Sequence, residues 1–357
     1  MRESMMTVRK SSVVWLVLGV VLIAAAAIIR FVALPALTKL PADLDQSQKY
    51  EGTMQTIDPK AFAANDLAHL LTPEMPITAD RSLKVDTVSG DTAIVTSKAL
   101  LSLPDGSTQP DVHTYAVSRV DYSPVTISET QEKSLVPSDD QASFEAHKGL
   151  AFSWPMNPPK DGTALYDPVT RTAQPAAFQN ESTIDGRDVY NYKIDAAGPI
   201  ASPGVLSQFK DFPKQLPKAA VAGLLQAGIV PVESRATLTA ALPAMSDVVT
   251  IGFGSTNLIN AAVDSQFGAP LKVSQTQGLY VTVPVDGKDV PTIPLSIVKL
   301  HTADSAVSDT AHTLSKNATM LSLLGVWLPI VLLVVGIVLA ALAVLRWRKP
   351  ALATTAR

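Results

Sequence analysis

The chain contains no cysteine, few aromatic residues and few charges: of 357 residues, 6% are aromatic and 17% charged. Without cysteine there is no disulfide framework, and an extracytosolic eukaryotic domain of this size would commonly carry one, so the absence fits a bacterial envelope protein. Charge is missing altogether from two long runs, Val13 to Ile29 and Leu323 to Leu345. A helix rises about 1.5 Å per residue and a bilayer core is about 30 Å thick, so about 20 apolar residues span it. Both runs therefore read as transmembrane helices. Repeats of fixed period and low-complexity tracts are also lacking, which argues against a solenoid or a disordered tether.

The charges that are present orient the chain. Arg2, Arg9 and Lys10 precede the first run against Glu3, while Arg346, Arg348, Lys349 and Arg357 follow the second with no acid. The segments on the other flanks are mixed, Lys39 with Asp43 and Asp45, and His312 and Lys316 with Asp304 and Asp309. The positive-inside rule places both termini in the cytoplasm and the intervening domain outside, at the plasma membrane. This gives a cytoplasmic tail at 1–12, a transmembrane helix at 13–34, an extracytoplasmic domain at 35–320, a second transmembrane helix at 321–345 and a tail at 346–357. A cleaved signal peptide is the alternative for the first run, which outlasts the usual h-region of about 7–15 residues and so favours a retained anchor. With Arg30 at its end, the run can lift its guanidinium to the outer interface. The tails carry +2 and +4 against −3 for the chain, leaving −9 for residues 11–345. An acidic surface of that kind excludes nucleic acid as a partner and disfavours broad adhesion to anionic headgroups.

Between the two runs, strand signals dominate. Leu83 to Val88, Ala93 to Leu100 and Val112 to Val120 alternate in polarity and are separated by Ser89-Gly90-Asp91 and Pro104-Asp105-Gly106, a β-meander. Asp185-Gly186 and Asp286-Gly287 read as two-residue hairpin turns, the second between Leu279 to Val285 and Val290 to Leu300. Helical spacing is found in Lys218 to Ala227, opened by Pro217 and stopped by Gly228. Pro59 to Leu71 and Asn257 to Phe267 are weaker helical segments, and Thr302 to Met320 reads as a stalk continuing the second span. Trp154 to Pro159 and Ala197 to Pro217 are the best candidate boundaries or lids. In the second span, Pro329 predicts a kink. Gly336 and Ala340 have the small-xxx-small spacing that lets helices approach closely, on the first span or on a partner. The fold class is α+β: a β-rich extracytoplasmic domain held between two transmembrane helices.

Catalytic signals are sparse. The five histidines, His69, His113, His147, His301 and His312, have no metal-ligand spacing, and read as exposed or hydrogen-bonded side chains. Asp139, Asp140, Glu145 and His147 form the densest set of hard-ion ligands but lack the spacing and central glycine of a calcium loop. Gly252-Phe253-Gly254 lacks the third glycine of a dinucleotide fingerprint, Asn257 standing there, so a turn or bulge is the better reading. Nor does it have the spacing of a nucleophile elbow. Asp161, Asp167, Asp185 and Asp188 lie near aromatics, as sugar-site acids do, yet each fits a turn equally well. No catalytic, cofactor or metal residue is assigned, no cofactor is expected, and the chain reads as a non-enzyme.

The order of features nevertheless resembles a known family. A basic tail, one span, His147-Lys148-Gly149-Leu150, Phe152-Ser153-Trp154-Pro155, Tyr166-Asp167-Pro168, Ile184-Asp185-Gly186-Arg187-Asp188-Val189-Tyr190 and a closing span are similar to the actinobacterial porin PorA family. Val117-Ser118-Arg119 stands where that family has Val-Asp-Arg. The resemblance implies a role in the envelope of mycolate-bearing bacteria, in handling trehalose mycolates and in maturing lipomannan and lipoarabinomannan, with no agreed catalytic residues. A porin in the literal sense conflicts with two apolar helical anchors, since an outer-membrane barrel needs many lipid-facing strands.

Three functions follow as expectations. A module that binds or escorts a lipid or glycolipid predicts an apolar cavity. A scaffold for envelope-biosynthesis membrane proteins predicts a flat apolar face without one. A carbohydrate-active accessory enzyme predicts two carboxylates converging in a polar cleft.

Overall fold

The two apolar runs fold as helices that pack on each other, and the rest of the chain builds around one sheet. The structure is a computed structural model and describes residues 10–64 and 66–347. The expected tails thus lie outside the described residues at 1–9 and 348–357. The chain divides into two units, one holding both apolar runs and the other spanning Leu40–His312.

In the first unit, helix Lys10–Ile28 passes through a π-helical turn, Ile29–Ala33, into Leu34–Leu37. At the other end, Asp304–Ser322 is followed by a π-helical turn, Leu323–Trp327, and by Leu328–Trp347. Ser12–Leu37 and Asp304–Arg346 are long and apolar enough to cross a membrane. The π-turn sits immediately before Pro329, whose missing N–H and bulky ring disturb the hydrogen-bond ladder there. The small residues of the second run meet the first: a Cβ on Gly19 would stand 2.7 Å from the Gly336 carbonyl, so only glycine permits this approach.

Among its described residues the second unit has thirteen strands. Nine form one antiparallel sheet: β1 (Asp45–Thr56), β2 (Met75–Ser89), β3 (Thr92–Ser102), β4 (Thr108–Ser118), β7 (Ala177–Ile184), β8 (Arg187–Pro199), β11 (Gly252–Asp264), β12 (Pro270–Val285) and β13 (Lys288–Thr302). Two minor ribbons pair β5 (Ala164–Asp167) with β6 (Thr172–Pro175) and β9 (Gln215–Pro217) with β10 (Val248–Thr250). The sheet order is β4-β3-β2-β1-β13-β12-β11-β8-β7. The chain therefore lays down the meander β1 to β4 outward, crosses over, and returns from the opposite edge until β13 closes on β1. Both expected Asp-Gly turns are present, with Asp185 and Asp286 at φ 47° and 49°, the left-handed backbone of a two-residue hairpin.

Helix Lys218–Gln226 matches its spacing, with Val221 and Leu224 buried in an apolar cluster that also holds Val281 and Val283 of β12 and Ile293 of β13. The weak helical reading of Asn257 to Phe267 is corrected: these residues lie in β11 and the turn after it. Pairing on both sides, to β8 and β12, overrides a local pattern in which Leu258, Ile259, Ala261, Ala262 and Val263 suit either period. Pro59 to Leu71 is helical only in two pieces, Pro59–Ala63 and a 3-10 turn at Leu67–His69.

The end of β11 is fixed by a buried ion pair. Asp264 is fully buried and accepts from Arg187 Nε and Nη2 at 2.8 and 3.1 Å, and from the backbone amides of Gln266 and Phe267 at 3.0 and 2.8 Å. The turn it holds leads to Gly268 at φ 69°, where a Cβ would sit 2.1 Å from the Pro155 carbonyl. Replacing Arg187 by Met would leave a buried carboxylate uncompensated. We expect Arg187→Met to lower the unfolding free energy by about 3–5 kcal/mol, read from denaturant midpoints of the purified full-length chain. A loss under about 1 kcal/mol would show the pair to be dispensable.

Candidate functional site

Because side chains alternate across a strand, each strand of the sheet offers one face outward and one inward. Outward stand exposed Lys49, Glu51, Lys193, Asp195, Lys272 and Lys299. Inward, Met54, Ile259, Val273, Val298 and Leu300 border a cavity of about 820 Å³. Its volume lies in the range of small-molecule sites, about 300–1,000 Å³.

Two loop segments complete its wall. Phe152 and Trp154 enter from the crossover between β4 and β7, and Val205 and Phe209 enter from the segment after β8. Trp154 is almost fully buried and stacks on Tyr192 at 5.0 Å, while Tyr192 Oη donates to the Pro159 carbonyl at 2.8 Å. Ser153 Oγ and Trp154 N both donate to the Gly268 carbonyl, at 3.0 and 3.1 Å. Phe209 stacks on Phe253 at 5.0 Å. The two segments singled out in the sequence as boundaries or lids each contribute residues to the cavity wall, Trp154 from the first and Val205 and Phe209 from the second.

The cavity is polar on the side of β2, β3 and β4. His113 Nε2 lies 3.0 Å from the exposed Asp111, two residues back on the same face of β4. His113 Nδ1 lies 2.9 Å from Glu145 Oε1, an ion-pair distance without hydrogen-bond alignment, and Arg171 Nη2 reaches Glu145 Oε2 at 3.2 Å. Tyr166 Oη also donates to Glu145 Oε2, at 3.4 Å. Burial works against the His113 imidazolium, but Asp111 and Glu145 outweigh it and raise the pKa to about 9. Burial, then the charge of Glu145, pushes the Tyr166 and Tyr115 phenols up, so both stay neutral. His147 takes the opposite course: burial lowers it to about 4, and its ring is held edge-on between Tyr115 and Tyr166 at 4.8 and 5.8 Å. Beside the cluster, Arg81 Nε donates to Ser97 Oγ at 3.3 Å.

A second polar patch crosses the other half of the sheet. Asn257 Nδ2 donates to Asp167 Oδ1 at 3.0 Å, and Gln275 Nε2 donates to Asn257 Oδ1 at 3.0 Å. Thr170 closes Asp167 from its other side, with N and Oγ1 at 2.9 and 2.6 Å from Oδ2.

The residues weighed in the sequence are mostly dispersed. His69 is exposed and pairs with Asp66 at 2.8 Å, and His301 and His312 are exposed. Of the dense acidic set, Glu145 is occupied by His113 and Arg171, and among the described residues no group of three potential ligands is arranged to hold a metal ion. Gly252 and Gly254 lie in β11, where a Cβ would collide with Thr282, so they serve cross-strand packing. Asp185 forms a turn and Asp188 accepts from Thr183 Oγ1 at 3.2 Å, which leaves Asp167 as the one of the four acids that borders the cavity. Arg81, Asp111 and His113 were not singled out as a set. The signal available was the Asp-x-His spacing, which puts both side chains on one face of a strand.

The profile of the family described as Porin PorA matches residues 11–345. No curated protein matches the chain. Among solved structures, an acyl-CoA hydrolase from Agrobacterium tumefaciens aligns at 7% identity and TM-score 0.14, covering 74% of this chain and 98% of its own. A putative oleoyl thioesterase from Lactobacillus plantarum aligns at 11% identity and TM-score 0.13, covering 79% and 86%. At such TM-scores the likeness informs neither fold nor chemistry.

The ion cluster carries a pH signature. The pKa of His113 in the folded chain lies above the ordinary value of 6.5, so its contribution to stability is complete below about pH 6.5 and disappears as the pH rises through about 9. We expect His113→Gln to cost on the order of 2–3 kcal/mol at pH 6 and little at pH 9.5, read as unfolding free energies across that range. Parallel pH profiles for the two proteins would show that His113 is not held protonated by its carboxylates.

Proposed function

This chain belongs to the Porin PorA family, and on that premise we propose that it is an envelope protein whose sheet unit binds and escorts a lipid or glycolipid. The observation that supports this reading is the cavity: about 820 Å³, walled by aliphatic side chains of β11, β12 and β13 around the Asn257–Gln275 patch, by the loop aromatics Phe152, Trp154 and Phe209, and by charged groups over β2 and β4. An amphiphile presents the same division. The two apolar helices fit a membrane anchor, and in this reading they keep the sheet unit close to its lipid source, with both termini cytoplasmic and the sheet unit outside.

A transmembrane pore is disfavoured by the sheet itself. Its edges, β4 and β7, are not paired with each other among the described residues, and its outer face carries exposed lysines and acids where a barrel would need an apolar belt. A lipid-free scaffold is disfavoured by the surface of the same unit, whose exposed large apolar side chains among the described residues, Val120, Leu206, Val232 and Val248, are scattered along the chain. We read the unit as a binding module and not an enzyme, because Asp111 and Glu145 are engaged with His113 and Arg171 in ion pairs.

The test is to purify the full-length chain from a bacterial envelope in a mild non-ionic detergent, extract it with organic solvent and identify what is released by mass spectrometry. We expect a stoichiometric amphiphile, reduced about tenfold in Val298→Trp, whose indole would occupy the cavity. Equal and trace recovery from both proteins would refute lipid binding in this cavity.

A further inference from the structure

The ions at the polar end of the cavity do not balance. Glu145 and Asp111 are matched by His113 and Arg171, at 2.9, 3.0 and 3.2 Å. Arg81 lies beside them on the inner face of β2, half-buried, and among the described residues no carboxylate stands within ion-pair distance of it. The acceptor of its Nε is the neutral hydroxyl of Ser97 at 3.3 Å. Arg81 borders the cavity and makes no ion pair among the described residues, so its guanidinium offers donors to the interior, with Tyr50 and the charge of Asp111 nearby. A donor-rich guanidinium is matched by a planar or tetrahedral oxyanion, which accepts several hydrogen bonds at once.

Exposure along β4 adds a direction. Gln109, Pro110 and Asp111 border the cavity and are exposed, whereas on β13 and β11 Leu295 is buried and Val298 and Ile259 are half-buried. The charged end is thus the wetter end, and the aliphatic end the drier one.

We infer that the polar end of the cavity seats an oxyanion headgroup, carboxylate or phosphate, with Arg81 as its counter-ion, while the ligand's alkyl chain lies along Ile259, Val273, Val298 and Leu300. This inference rests on the cavity being a lipid site, and specifies the headgroup that the cavity selects. It separates the ligand from neutral lipids of the same chain length.

The experiment uses the full-length chain in non-ionic detergent and three probes with one alkyl chain: oleate, 1-oleoyl lysophosphatidate and oleyl alcohol. Apparent dissociation constants are read by native mass spectrometry for the wild type, Arg81→Gln and Arg81→Lys. We expect at least one oxyanion probe to bind about tenfold or more tightly than the alcohol, the tighter of the two identifying the headgroup. Arg81→Gln should erase that preference while leaving alcohol binding unchanged, and Arg81→Lys should keep most of it. Equal binding of all three probes to the wild type overturns the inference and leaves the lipid cavity standing. So does an equal loss for all three in Arg81→Gln, which would mark Arg81 as a structural residue. Failure of every probe to bind overturns both the headgroup assignment and the cavity reading.

Discussion

Asp264 is fully buried at the end of β11, where a carboxylate without partners would be costly, and it is held there by Arg187 and two backbone amides. The consequences run outward from that pair. The bound amides shape the turn to Gly268, and the Gly268 carbonyl accepts from both Ser153 and Trp154. Trp154 in turn stacks on Tyr192 of β8 and forms part of the cavity wall. A single ion pair between the strand after the Asp-Gly hairpin and the end of β11 therefore fixes the segment that closes one side of the cavity. Its energetic value lies less in the attraction itself than in the cost of leaving Asp264 without a partner.

The cavity follows from how the sheet is covered. Helices Lys218–Gln226 and Val232–Ala241 fill the inner face at one end, against Val281, Val283 and Ile293. Phe152, Tyr166 and Trp154 fill it at the other, against Val85, Val95, Ile194 and Val263. Between these two packed regions the inner faces of β1, β13 and β12 border the cavity. Register shifts in β12–β13, between Leu279 and Tyr280 and between Val281 and Thr282, add the local twist that bends a strand away from a flat sheet. A close-packed interior would reject such a void unless something stabilised its walls, and here cross-strand pairs and loop aromatics do so.

The same feature explains what could be read from the sequence. Strands packed against apolar matter on one side and water on the other announce themselves by alternation, so β2, β3, β8, β12 and the two Asp-Gly hairpins were legible. So were the apolar runs, since length and absence of charge suffice. Strand β1 was not: Asp45-Gln46-Ser47-Gln48-Lys49 has little alternation, because its first half is largely exposed to solvent. Strand β11 was misjudged for a related reason, since Asn257 faces inward where an aliphatic residue would have marked the period. The ion cluster was hidden because its members come from distant segments: Asp111 and His113 from β4, Glu145 and Arg171 from the crossover. The motifs that identified the family, by contrast, prove to be scaffold. Arg187 holds Asp264, Trp154 closes the cavity, and Asp167 orients Asn257.

The cluster around His113 also shows why charge at this site suits recognition. Strand β4 is an edge of the sheet, and an unprotected edge invites pairing with other chains. Glu145 and Arg171 arrive from the crossover and join that edge through His113, while Thr114 pairs with Phe144 in an isolated parallel bridge. The pairs thus belong to the frame of the cavity and persist whether or not it is filled. The tyrosines that flank Glu145 remain neutral, as does His147, so none of them competes for the ions in the frame. In the proposed lipid reading, recognition is left to Arg81, for which no ion pair is found among the described residues. There a headgroup would be desolvated by donors already in place while its chain moves into aliphatic surroundings, and exchanging one lipid for another would break no ion pair of the protein.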